Sequence, residues 1–187
     1  MSHQSGPIKE PLLKSCPKRY TEAITASFNC LLKIGLDKGT SKSKAELVNI
    51  IVEPILSSYR AEQDKVRKVF EGEPTVITDY SWAHNAVKDE VFLQFVKQMM
   101  LNEQKESLGQ LLGVLEVVTR HYCPSPQLLY TFLHFLKTMK NKNLPNLDAC
   151  FTNVLLSAQA YEKYRGNNVT ALEGEVFPKE QDCYALL

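Results

Sequence analysis

Apolar residues recur along this chain every three or four positions, the interval that lines one face of a helix. In YTEAITASFNCLLKIG, Ile24, Phe28, Leu31 and Leu32 share a face and Gly35 offers a stop, which predicts a first helix. Ser43 and Glu46 announce a second helix, because serine and glutamate three residues apart form a capping box in which each satisfies the other's backbone amide. Val48, Ile51, Val52, Ile55, Leu56 and Tyr59 then carry the stripe. Pro54 stands within it, lacks a backbone donor and crowds the preceding turn, which predicts a kink or break near Glu53. The charged run RAEQDKVRKVF carries the helix outward.

From Glu71 to Ser81 the pattern lapses at Gly72 and Pro74, as expected of a surface loop. Helical spacing resumes from Ala83 to Leu101, from Lys105 to His121, and from Ser125, a cap followed by Pro126 at the first helical position. A last helix after Asn146 buries Leu147, Phe151, Val154, Leu155 and Ala158 and ends near Gly166. Ahead of the first helix, GPIKEPLLKSCP is too rich in proline to be helical and reads as an extended arm pinned to the body by Leu12 and Leu13. The chain thus divides into an extended arm (1–19), a helical domain (20–166) and a partly ordered tail (167–187). No period of 20 to 50 residues repeats, which argues against a solenoid. The fold expected is all-α, a compact orthogonal bundle with Phe28, Leu31, Phe92, Phe95, Leu112, Leu115, Leu129, Phe132 and Phe151 in one core.

Composition adds that 187 residues, 44% hydrophobic and 23% charged, can bury a core without metal or disulfide staples. Charge is nearly balanced, with 22 Lys and Arg against 21 Asp and Glu, so no global field draws the chain to nucleic acid or membrane. Any electrostatic partner must be met by a local patch. The cysteines, Cys16, Cys30, Cys123, Cys150 and Cys183, are odd in number and lack paired short spacing, as in an intracellular protein with reduced thiols. No apolar stretch approaches the roughly 20 residues that span a bilayer, and no signal-peptide core follows the first methionine. The expected compartment is the cytoplasm, with the nucleus compatible. The sequon at Asn168 and the cysteine of CYALL, one residue too far from the end for prenylation, carry no modification on this reading.

Candidate chemistry is sparse. Asp89 and Glu90 are adjacent and point about 100° apart on a helix, so they cannot share a reacting proton, and a helix-start electrostatic role is the simpler reading. His3, His84, His121 and His134 show no metal-ligand spacing, and the eight glycines form no phosphate cradle. No cofactor is expected. His121 beside Cys123 is the one pairing that resembles base and nucleophile, and no third group accompanies it. Lys137, Lys140 and Lys142 cluster near a helix end, with Arg120, Lys163 and Arg165 near others. These complement helix dipoles and offer a candidate surface for an acidic protein partner.

Lys88, Asp89, Glu90, Val91, Phe92 and Gln94, followed one turn on by Lys97 and Gln98, resemble the signature of the myosin tail homology 4 domain, a helical module of unconventional myosins, some kinesins and related adaptors. Pro124 and Ser125 stand where that family places a Pro-Ser step before an aromatic, leucine-rich helix, here with Leu129, Phe132 and Phe135. IKEPLL is similar to the family's Pro-Leu arm, and the segments through Gly35 and Leu56 to its first two helices, so the likeness runs from Ile8 to Leu136. Leu108, Gly109 and Gln110 depart from the family's Arg-Gly-Trp, and the sole tryptophan, Trp82, is a candidate to fill the space left. The resemblance implies a non-catalytic interaction module, an adaptor that binds microtubules or a cytoskeletal cargo protein. The residues above would then be a structural signature rather than a reaction centre. A rival reading is a helical scaffold subunit of a constitutive complex, HEAT-like or from genome maintenance.

Overall fold

The computed structural model describes residues 6–36, 42–70, 80–100 and 102–165. Six helices account for most of them: α1 (Thr21–Gly35), α2 (Lys44–Phe70), α3 (Tyr80–Met99), α4 (Lys105–His121), α5 (Pro126–Thr138) and α6 (Leu147–Arg165). Short 3-10 turns precede α1 (Lys18–Tyr20) and follow α5 (Lys140–Lys142). No strand occurs among the described residues, and the fold is all-α.

Helix α3 packs against α1, α2, α4 and α5, and α4 against α1, α2, α3 and α6, while α6 lies on α4 and α5. The main core gathers Leu31, Ile51, Ile55, Phe92, Phe95, Leu111, Leu112, Leu115, Leu129 and Phe132 from five helices, with Phe151 of α6 packed at its margin. Phe92 and Phe132 meet edge to face, ring centroids 5.1 Å apart at 72°, the geometry that opposes the positive rim of one ring to the negative face of the other. Phe28 is fully buried as well. A smaller cluster joins the N-terminal segment to the bundle through Cys16, Tyr20, Ile24 and Val87, with Leu13 against it.

The starts of α2 and α5 follow from their local chemistry. The Ser43 amide donates to Glu46 Oε2 at 2.7 Å and the Glu46 amide returns to Ser43 Oγ at 3.3 Å, a complete capping box. Pro126 opens α5 after an extended Ser125. Two expectations are overturned. Helix α2 is not broken at Pro54 and runs unbroken through 27 residues. The bond Pro54 cannot make is offset by the burial of Pro54 and of Ile51 and Ile55 on either side. Helix α3 begins at Tyr80, three residues earlier than the apolar pattern indicates, which moves Asp89 and Glu90 from its first turns to its middle. The expected loop falls largely on 71–79, outside the described residues, as do the tail 167–187, Asn168 and Cys183.

Close approach explains two glycines. A Cβ on Gly35 would stand 2.9 Å from Gln98 Oε1, so the end of α1 is bare where α3 crosses it. On α4 a Cβ at Gly109 would stand 3.3 Å from Pro145 Cγ. Here the chain returns from α5 through Asn143 and Asn146, both at positive φ (48° and 63°), a conformation that asparagine tolerates better than most residues. Trp82 does not fill the place of a missing tryptophan, since it is 55% exposed on α3.

Candidate functional site

Along α3 two rows of side chains run side by side at four-residue spacing. Val87, Val91, Phe95 and Met99 form an apolar row, and Glu90, Gln94 and Gln98, continued by Asn102 beyond the helix end, form a polar one. All eight are buried. Polar groups withdrawn from water destabilise unless bonded, and the bonds of the polar row show what it does.

Glu90 is fully buried with no cation bonded to it among the described residues. Instead Oε1 accepts the Leu12 amide at 2.9 Å and Gln94 Nε2 at 3.1 Å, and Oε2 accepts the Leu13 amide at 2.7 Å. Burial pushes its carboxyl above the usual range, against the opposing effect of these donors. Gln94 spends its other amide hydrogen on the Ile24 carbonyl at 3.1 Å and accepts from Ser27 Oγ at 2.9 Å, so every polar atom of its side chain is satisfied. Lower on α3, Asn102 Nδ2 donates to the Gly35 carbonyl (3.1 Å) and to Ser107 Oγ (2.9 Å), while Ser107 donates to the same carbonyl (2.9 Å). The polar row thereby ties α3 to the arm, to α1 at both ends and to the start of α4.

Asp89 faces another way. Its two carboxylate oxygens accept the Ser125 amide at 2.7 Å and the Ser125 hydroxyl at 2.6 Å, which locks the start of α5 onto α3. Burial raises its carboxyl, opposed by the two Ser125 bonds and by Lys88. The Ser125 hydroxyl therefore serves Asp89 and makes no cap for α5, contrary to the reading from sequence. Pro124 is buried beside it, whereas Lys88 and Lys97 are partly exposed on the flank of α3. With α3 starting at Tyr80, Asp89 and Glu90 are the tenth and eleventh residues, too deep for a dipole role confined to a first turn. Their carboxylates are occupied by neighbouring backbone. Sequence reading missed Ser27, Asn102 and Ser107; the four-residue interval from Glu90 through Gln94 and Gln98 points to Asn102.

The basic candidates do not form one patch. Lys137 closes α5, and Lys140 and Lys142 follow in the 3-10 turn, all exposed. Lys140 Nζ lies 3.4 Å from Asp148 Oδ1 and 4.4 Å from the centre of the Phe151 ring, and Lys142 Nζ reaches the Asn102 carbonyl at 3.4 Å. Arg120 stands at the opposite end of α4, a helix roughly 25 Å long at 1.5 Å per residue, and is ion-paired with Glu116. The side chains of Lys163 and Arg165 lie outside the described residues. His121 is exposed and packs its ring toward Tyr122, and Cys123 is half-buried and free. Among the described residues no three His, Cys, Asp or Glu side chains gather to hold a metal ion, and no helix is long and apolar enough to cross a membrane.

The signature residues of this helical bundle are thus taken up in locking its helices and arm together. The family model of the MyTH4 domain matches residues 75–175, more than half of the chain, and the chain belongs to that family. The match takes in α3 to α6; the arm, α1 and α2, which carry part of the sequence resemblance, lie outside it. No curated protein and no solved structure matches the chain. The family is one of non-catalytic interaction domains, and membership makes this chain a cytoskeleton-related protein-interaction module.

Proposed function

We propose that the domain binds an acidic protein surface, with tubulin the candidate the family resemblance supplies, through Lys137, Lys140 and Lys142. One observation carries this reading: three exposed lysines fall within six residues where α5 ends, on a chain of net charge +1. Lys140 and Lys142 each touch a neighbour, Asp148 and the Asn102 carbonyl. The Lys140 to Asp148 pair is an exposed one, with side chains 43% and 88% accessible, and such pairs are weak enough for a partner's carboxylates to displace. Arg120 is too distant to join this surface.

Attraction between exposed charges is screened over about 8 Å at physiological salt, so binding should weaken steeply as salt rises. Co-sedimentation with microtubules at two salt concentrations tests this, comparing the wild type with a variant in which Lys137, Lys140 and Lys142 are all glutamate. The wild type should pellet at low salt and be released at high salt, and the variant, with unchanged melting, should stay in solution. Failure of the wild type to pellet at low salt, or equal pelleting of the folded variant, refutes the proposal.

A further inference from the structure

Between α1, α2 and α4 a recess of about 270 Å³ opens over Gly113. Ile34, Leu47 and Val114 make its apolar floor, and Lys44 and Gln110 stand at its edge. A Cβ added to Gly113 would lie 3.5 Å from Asn146 Nδ2 and 3.8 Å from Lys44 Nζ, so an amide nitrogen and an ammonium overhang the same bare α-carbon. Neither is hydrogen-bonded or ion-paired to a described residue. Asn146, at φ 63°, presents its side-chain amide over Gly113 and can turn a donor toward the recess. Among the described residues no acid lines the recess. Glu46 is taken up by Ser43, and Glu116, further along α4, by Arg120.

Two donors, one of them cationic, converging over an apolar floor with no acceptor between them match a carboxylate attached to an aliphatic group. A recess of this volume, open on one side, has room for one branched side chain and its carboxylate. Gln110 at the rim can both donate to and accept from a peptide group leading away from the site. We propose that the recess captures the C-terminal carboxylate of a partner peptide ending in leucine or isoleucine, a recognition mode in which the chain end is read by its charge and its last side chain.

The test is a ¹⁵N-resolved NMR titration of the whole chain with N-acetyl-leucine, N-acetyl-leucinamide and 4-methylpentanoate in the millimolar range. N-acetyl-leucine should shift the amides of Ile34, Lys44, Leu47 and residues 110–114, and the neutral amide should bind at least tenfold more weakly. Gly113→Ala should abolish the response. Its added methyl would meet both nitrogens at ordinary contact distance, filling the carboxylate position without straining the fold, so melting should be unchanged or raised. Lys44→Gln, which keeps most of the side chain, should weaken binding without moving the site. Absence of shifts, an equal response to acid and amide, or persistence in folded Gly113→Ala overturns the proposal. Binding of 4-methylpentanoate as tight as that of N-acetyl-leucine overturns the peptide as the occupant.

Discussion

Replacing Glu90 with alanine removes the acceptor for three donors. Gln94 keeps its bond to the Ile24 carbonyl, so the groups left stranded are the amides of Leu12 and Leu13. Each buried donor without a partner costs about 1–3 kcal/mol. The arm residues are only partly buried, water can reach them, and loss of the buried charge offsets part of the penalty, so the lower end applies: about 2–3 kcal/mol in total. For a chain of this size that is a fall in melting temperature of roughly 4–12 °C. Glu90→Gln separates charge from shape, since it keeps the size and one oxygen but cannot ionise. The native carboxyl binds its proton more tightly than the ordinary value of 4.5 because burial disfavours the anion. Its contribution to stability is therefore full below 4.5 and is lost as pH rises through the raised native value. Urea unfolding of wild type and Glu90→Gln between pH 4.5 and 7.5 should show the wild type gaining on the variant as pH falls. Asp89 titrates in both proteins and cancels in the difference. A difference that is flat, or that grows with pH, refutes the reasoning that desolvation outweighs the arm's donors.

Truncation of Phe132 to alanine removes the edge-to-face partner of Phe92 from the centre of the core and should cost about 3–5 kcal/mol, read from urea unfolding. His84, whose Nδ1 lies 2.7 Å from Ser58 Oγ, is held by burial and by Lys88 at a pKa of about 4, below the ordinary 6.5. The unfolded chain takes up that proton first, so stability should decline as pH drops from 6.5 toward 4, and His84→Gln should flatten the decline in a melting-temperature profile.

Where a helix buries an apolar face, its limits could be read from sequence. Lys105–His121 and the start of α5 match the pattern because their apolar stripes are continuous and Pro126 takes the first turn of α5. Helix α3 was harder, because part of its buried face is polar: Glu90, Gln94 and Gln98 interrupt the apolar stripe, and the partners that make them tolerable inside come from the arm and α1, far away in sequence. At Pro54 local chemistry predicts a kink or a break, and with its flanks buried the helix does not break. Ser125 occupies a cap position, but what its hydroxyl bonds depends on Asp89, 36 residues away. The signature residues were identifiable as a group through family resemblance, yet their pairwise bonds follow only from how α1, α3 and α5 cross. The basic residues show the converse, since nearness to helix ends in sequence did not reveal that Arg120 and Lys142 sit at opposite ends of α4.

The bonds from Leu12 and Leu13 to Glu90 span 78 and 77 residues, and they run from early in the chain to its middle. During synthesis at about 5–20 residues per second, the arm is made on the order of 4–15 s before its acceptor exists. Helix α1 can form in that interval, but the small cluster of Cys16, Tyr20 and Ile24 has to wait for Val87, and the arm for Glu90. The arm thus stays without its anchor until α3 arrives with the carboxylate, and α4 to α6 are added to a bundle whose arm is already fixed.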